Sequence, residues 1–224
     1  MRPVDKGKNE KKFSDYHQAL SDLIDRLGEY CSYCEMRLEA SLHVEHVQPK
    51  SLHPGLRCEW DNLLLSCVHC NSSKGHRDIK IEDYLWPDKD NTFLAFIYDE
   101  DGRLTVNPAL NNKQKECASN LLKLVGLKKR SGNDPKSHDK RWTYRKEAWE
   151  RALDSLRRLS INNTEEMRQE IVEHAYSKGY WSTWITVFKD DKDMLKRLVE
   201  RFPGTCKECF DNKGRPILRK GGIV

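Results

Sequence analysis

The chain has 224 residues, of which 37% are hydrophobic and 33% are charged, and its formal net charge is +5. This length is enough for one or two domains with a core of their own, and the composition excludes both a disordered chain and a membrane-embedded one. The basic start MRPVDKGKNEKK is not followed by an apolar signal segment, so we expect a cytoplasmic protein with no membrane partner.

The first predicted element is a short helix. Apolar side chains recur at helical spacing from Tyr16 to Leu27, and Gly28 follows as a stop signal. Two cysteine pairs and the cluster HVEH then occupy residues 31–78. Further on, TFLAFIY and RLTVN flank DEDG, which predicts a β-hairpin, and a short helix is expected around residues 118–125.

The rest of the chain has helical periodicity. KKRSGNDPK, residues 128–136, has the composition of a linker. One apolar stripe runs from Trp142 to Leu159, Thr164 is expected to cap a second helix, and Asp190 a third. We therefore predict an α+β protein that is mostly helical, with a helical C-terminal region.

The charge is distributed unevenly along the chain. Residues 127–224 contain 23 Lys and Arg against 15 Asp and Glu, whereas residues 1–126 are net negative. A basic C-terminal half is typical of proteins with a polyanionic partner, although charged helix faces are more often simply solvated.

The cysteines predict a structural zinc site. Cys31-x-x-Cys34 and Cys67-x-x-Cys70 are two matched pairs, and in a reducing compartment such cysteines are metal ligands or free thiols. Four thiolates complete a tetrahedral shell that suits Zn²⁺ and leaves no open position for chemistry. Cys206-x-x-Cys209 is a single pair, so a second metal there would need ligands from elsewhere in the chain or from another chain.

One interpretation of the polar residues between the cysteine pairs is a zinc-dependent nucleobase deaminase. The deaminase signature is H-x-E followed by P-C-x-x-C, with one His and two Cys on zinc and the Glu as general acid and base. His43, Glu45, Cys67 and Cys70 fit that outline. Ser66 stands where the proline belongs, and the first cysteine pair would have no role.

A second interpretation is a metal-dependent nuclease. Phosphodiester hydrolysis needs a base for water and a hard cation for the phosphate charge, so His46 is the candidate base and Glu45 and Asn71 are candidate ligands of Mg²⁺. Asn62 is expected to orient the imidazole ring, and Lys74 to meet phosphate. His43 and His76 are possible further contacts. A zinc-stapled nucleic-acid-binding module without catalysis is the third interpretation.

The segments VEHVQPKSLHPG and WDNLLLSCVHCNSSKG resemble the zinc-stapled HNH endonucleases, which have a ββα-metal site. The resemblance covers about a quarter of the chain. It implies that His46 is the general base, that Glu45 and Asn71 hold a catalytic Mg²⁺ or Mn²⁺, and that Asn62 is the middle asparagine of the motif. Glu45 stands where Asp or His is commoner.

The length and layout also resemble the HNH nuclease component of retron-type and Septu-type anti-phage systems. That resemblance implies a nucleic-acid substrate, either DNA or RNA such as tRNA, and an ABC/SMC-like ATPase as partner. In retron systems a reverse transcriptase and its RNA–DNA product join the complex.

The expected organisation has three regions. Residues 1–82 form the N-terminal helix and nuclease core, residues 83–127 the hairpin and helix extension, and residues 128–224 a helical, basic region for docking a partner or nucleic acid. Because every candidate catalytic residue lies before residue 80, a chain truncated after Gly126 is expected to keep its zinc site.

Overall fold

A short helix leads into the first cysteine pair, as predicted. The computed structural model describes residues 1–128 and 139–224. A 3₁₀ turn at Tyr16–Gln18, closed by a capping box between Asp15 and Gln18, continues into α1 (Ala19–Leu27). Gly28 ends α1 with φ +74°, a value that few residues other than glycine adopt.

The centre of the N-terminal half is a ββα unit. Strand β1 (His43–His46) pairs antiparallel with β2 (Leu63–Ser66), with Glu45 opposite Leu64. Helix α2 (Val68–Lys74) follows at once, because Cys67 serves as its N-cap. This is the arrangement that the resemblance implied.

A hairpin and a helix extend this unit. Strands β3 (Phe96–Tyr98) and β4 (Leu104–Val106) pair antiparallel, which confirms the predicted hairpin. Helix α3 (Asn112–Leu124) begins earlier than the sequence indicated. The reason is a capping box in which Asn111 and Gln114 satisfy each other's backbone N–H groups.

The C-terminal part consists of four helices: α4 (Arg141–Ile161), α5 (Glu165–Lys178), α6 (Trp181–Val187) and α7 (Lys192–Arg201). Thr164 caps α5, as predicted. The predicted cap of the last helix was one residue off, since Asp191 and not Asp190 accepts the Met194 N–H. The sequence interpretation missed α6. Apart from Lys128, the predicted linker lies outside the described residues.

Two hydrophobic clusters form the core. The first is built mainly from residues 1–127 and includes Leu63, Leu64 and Leu65 of β2, none of which is exposed. The second is built from α4–α7 around Trp181 and Trp184 and also takes in Tyr30. The fold is therefore α+β and mostly helical, as predicted. In the described ranges no helix combines the length and apolarity needed to cross a bilayer.

Candidate functional site

The four predicted cysteines form one buried cluster. The sulfur atoms of Cys31, Cys34, Cys67 and Cys70 all lie within 4.8 Å of one another. The Cys67 sulfur also accepts the backbone N–H of Cys70 at 3.4 Å, the turn geometry that lets two thiolates of one pair face one ion. Four soft donors at this spacing fit a closed tetrahedral Zn²⁺ site. Among the described residues no other group of three or more His, Cys, Asp or Glu side chains is arranged to hold a metal ion.

Helix α4 reaches this cluster through a buried arginine. The Arg141 guanidinium donates from Nη1 to the Cys70 sulfur at 3.0 Å and to the Val125 carbonyl at 2.9 Å. Its side chain is only 3% exposed. A hydrogen bond from a cation offsets the negative charge that four thiolates bring to a metal site.

The residue after the first cysteine pair, Glu35, contacts the C-terminal helices. The buried Glu35 carboxylate accepts hydrogen bonds from the backbone N–H and the hydroxyl of Ser182, at 3.1 and 2.5 Å, and the Glu35 carbonyl accepts the Tyr180 N–H at 2.9 Å. Gly179 allows this approach, because a Cβ there would lie 2.7 Å from the Glu35 carbonyl oxygen. These contacts argue against the expectation that a chain truncated after Gly126 keeps its zinc site, since the deleted helices contact Cys70 and Glu35, the residue that follows Cys34.

His46 is held in one orientation and one tautomer. Its Nε2 lies 2.9 Å from the Arg57 carbonyl oxygen, which can only accept, so Nε2 carries the proton and Nδ1 keeps its lone pair. Burial lowers the pKa of His46, the hydrogen bond to the Arg57 carbonyl opposes this, and the charges of Lys50, Lys74 and Arg57 lower the pKa further. The imidazole is therefore neutral near pH 7, the state in which it can accept a proton.

Glu45 forms a buried ion pair with Lys74. The Lys74 ammonium lies 2.9 Å from Glu45 Oε1 and donates to the His46 carbonyl at 2.6 Å. Burial raises the pKa of Glu45, and the lysine charge opposes that rise. Lys74 was expected to meet phosphate, but its side chain is 2% exposed and turned to the carboxylate. The structure thus assigns Lys74 to Glu45.

Asn62 supports the loop between β1 and β2 and not the imidazole itself. Its Oδ1 accepts the Gln48 N–H at 2.7 Å, and its Nδ2 donates to the carbonyls of Gln48 and Leu56 at 3.0 and 3.1 Å. The support that Asn62 was expected to give the imidazole is therefore indirect, through this loop. Asn62 anchors Leu56 in this loop, and the residue after Leu56, Arg57, presents its carbonyl to His46.

Apart from Asn62, the candidate catalytic residues and metal ligands line one cavity of about 220 Å³. Glu45, His46, Asn71 and Lys74 share it, and both possible contacts, His43 and His76, lie on its wall. Glu45 Oε1 is buried, and among the described residues its contact is the ion pair with Lys74 at 2.9 Å. A buried carboxylate and an amide oxygen on one cavity wall are oxygen donors that fit Mg²⁺ or Mn²⁺.

Sequence reasoning missed part of this wall. Tyr16, His17 and Lys50 also line the cavity, and the Tyr16 ring meets the His46 ring edge-on with centroids 4.7 Å apart. Tyr16 entered the sequence interpretation only as an apolar position of the first helix. Helical periodicity reports which residues are buried, and it does not distinguish a tyrosine of the core from one beside an active site.

The deaminase arrangement does not form among the described residues. That site needs His43 on the same ion as Cys67 and Cys70. The structure instead groups these two cysteines with Cys31 and Cys34, while His43 lines the neighbouring cavity.

Comparison with known proteins agrees with this geometry. Residues 31–77 match the family model of the HNH endonucleases, so this segment is an HNH endonuclease domain. The chain is also 41% identical over 96 residues to the Septu protein PtuB of Bacillus thuringiensis. That match covers 38% of this chain and 37% of the relative, so the chain spans little more than a third of the relative's length.

Proposed function

We propose that the chain is a metal-dependent endonuclease that hydrolyses phosphodiester bonds in nucleic acid and serves as the nuclease of an anti-phage defence complex. One observation supports this function most directly. Within the HNH domain, His46 Nδ1 is left free by the hydrogen bond from Nε2 to the Arg57 carbonyl, and the same cavity holds two oxygen donors, Glu45 and Asn71.

The chemistry follows from these positions. His46 Nδ1 removes a proton from the attacking water, and the Arg57 carbonyl stabilises the imidazolium that forms. Glu45 and Asn71 would hold a Mg²⁺ or Mn²⁺ ion, which would supply positive charge for the phosphate and the leaving oxygen. Asn62 keeps the loop of Arg57 in place and acts as a positioning residue.

The zinc is structural in this proposal. Cys31, Cys34, Cys67 and Cys70 fill all four positions of a tetrahedral Zn²⁺ site, so no position remains for water or substrate. A zinc ion there would join the segment before β1 to the start of α2 and would thereby set the position of Asn71 relative to Glu45.

The defence role is supported by the similarity to the Septu protein PtuB. We place an ABC/SMC-like ATPase beside the nuclease in the cytoplasm, and in a retron-type complex a reverse transcriptase with its RNA–DNA product. Residues 1–82 and 83–127 form the nuclease part, and residues 128–224 the basic docking region. Since the site would contact sugar and phosphate, DNA and RNA, including tRNA, are both open as substrates.

Substitution of the candidate base tests the hydrolysis. His46→Ala should lower the cleavage rate about 10²–10⁴-fold, the usual loss for a positioned base, and leave the zinc content unchanged. His69→Ala is the matched control, because His69 lies on α2 but does not line the cavity. Cleavage by His46→Ala at the parent rate would contradict the nuclease function. A non-catalytic binding module would show no cleavage in any variant.

The partner is tested by co-purification. The full-length chain should be recovered with the ATPase encoded beside it and should cleave slowly when isolated, since an unrestrained nuclease would damage its own cell. Full turnover by the isolated chain on ordinary DNA would contradict the dependence on a partner.

A further inference from the structure

We propose that Lys50, held in place by Tyr16, binds a backbone phosphate of the nucleic acid beside His46. The inference rests on the proposed nuclease function and adds a contact between the nuclease and its substrate. One member of the residue pair, Tyr16, lies outside the matched domain of residues 31–77. Both side chains line the cavity that contains His46.

Tyr16 contacts the candidate base and the lysine at the same time. Its ring meets the His46 ring edge-on, with an interplanar angle of 67°. Its hydroxyl accepts a hydrogen bond from the Lys50 ammonium at 2.6 Å, and the ammonium lies 3.8 Å from the ring centroid. A hydrogen bond and a cation–π contact together hold the ammonium close to the imidazole.

Tyr16 itself is fixed by local structure. It is the first residue of the 3₁₀ turn whose capping box joins Asp15 and Gln18. The turn runs directly into α1, whose apolar face is buried in the core. The position of Lys50 is therefore set before substrate arrives, which reduces the ordering cost of binding.

Lys50 has no carboxylate partner among the described residues, whereas the neighbouring cations Lys74 and Arg57 each have one. Lys74 is paired with Glu45, and Arg57 lies 3.0 Å from Asp15. Over residues 1–128 and 139–224 no carboxylate oxygen lies within 4.0 Å of the Lys50 ammonium. A half-buried ammonium without a carboxylate partner, beside a base suited to phosphodiester hydrolysis, is complementary to a phosphate group.

The geometry favours the backbone over the bases. Tyr16 is poorly suited to stacking on a base, because the Lys50 ammonium already lies over its ring and the Arg57 guanidinium carbon is 5.5 Å from its centroid. We therefore assign Tyr16 the role of a positioning residue. The contact made by Lys50 should be independent of sequence, as phosphate contacts are.

The salt dependence of binding tests this role. Binding of a labelled duplex DNA and of a labelled tRNA is measured with the full-length chain and its ATPase partner, in a His46→Ala background that prevents cleavage. Lys50→Gln should weaken binding and reduce the slope of log K against log salt by about one, the effect of one lost phosphate contact. Lys50→Arg should keep the parent slope.

The matched variants separate positioning from folding. Tyr16→Leu should reproduce the Lys50→Gln slope, Tyr16→Phe should fall in between, and the double variant should be no worse than Lys50→Gln alone. Lys123→Gln, at an exposed lysine of α3, should keep the parent slope. Zinc content should equal that of the parent in every variant, and every variant should be fully folded at the temperature of the binding measurement.

The results distinguish a failure of the Lys50 contact from a failure of the nuclease function. Cleavage by the parent, together with an unchanged salt slope in Lys50→Gln, overturns the role of Lys50 and leaves the nuclease function standing. A reduced slope in Lys50→Gln without any cleavage by the parent overturns the hydrolysis and supports the phosphate contact.

Discussion

The Lys74 ammonium and the Glu45 carboxylate form an ion pair of 2.9 Å with both side chains almost fully buried. The ammonium thus neutralises the carboxylate that we propose as a metal ligand. A divalent cation that binds Glu45 has to compete with this lysine or share the carboxylate with it.

Lys74→Met should destabilise the zinc-loaded, Mg²⁺-free protein by about 3–5 kcal/mol, because it leaves a buried carboxylate without its partner. Added Mg²⁺ should restore more stability to this variant than to the parent, since the ion takes over the neutralisation of Glu45. Thermal unfolding of the zinc-loaded protein, with and without Mg²⁺, measures both effects.

The double variant Glu45→Gln/Lys74→Met is the control for this prediction. It removes both charges, so its stability should be closer to that of the parent, and Mg²⁺ should no longer raise it. If Lys74→Met without Mg²⁺ were as stable as the parent, the ion pair would have no role in stability.

The four-cysteine site should contain about one Zn²⁺ per chain and be needed for folding. Cys67→Ser should lose the ion and the folded state, measured by metal analysis and circular dichroism. Cys58→Ser is the control, since Cys58 is a partly exposed thiol outside the cluster. A soluble, well-folded Cys67→Ser protein without zinc would refute the prediction.

Arg141→Met should lower zinc affinity about 10–100-fold, the usual effect of losing a hydrogen bond to a metal ligand. The chain truncated after Gly126 should lose zinc for the same reason, and in addition because Glu35 loses Ser182. Transfer of zinc to a coloured chelator measures this loss, because a protein that binds zinc more weakly should release it faster. Arg151→Met, on the exposed side of α4, should release zinc at the parent rate.

Asn62→Ala should lower the cleavage rate about 10²-fold with little change in KM, because the loop that presents the Arg57 carbonyl to His46 loses its anchor. Three hydrogen bonds disappear from a buried site, so stability should fall by about 1–3 kcal/mol as well. Kinetics at a temperature far below the unfolding transition separate the two effects. An Asn62→Ala protein that cleaves at the parent rate would exclude the positioning role.

Much of the local structure could be predicted because its signals lie within a few residues of one another. The spacing of the two cysteine pairs identified the metal cluster, helical periodicity located α1 and α4, and Thr164 marked the start of α5. Each signal depends on interactions between residues that are close in the sequence, and tertiary packing does not change which residues those are. The start of α3 was placed too late because the capping box of Asn111 and Gln114 was not recognised, and the cap of α7 was one residue off because Asp190 and Asp191 are adjacent.

The amino-acid sequence by itself determined the four thiolates and the presence of a histidine, a glutamate and an asparagine in motif order, and the ββα unit followed from the resemblance that these residues carry. Only the tertiary structure decided what these residues contact. Lys74 pairs with Glu45 and is shielded from solvent, and Asn62 hydrogen-bonds to the loop that contains Gln48 and Leu56. Arg141 donates to Cys70, which lies 71 positions earlier. Such pairings depend on which surfaces pack together over long sequence separations, and burial then selects the partner, since a buried charge or amide is costly unless it is satisfied.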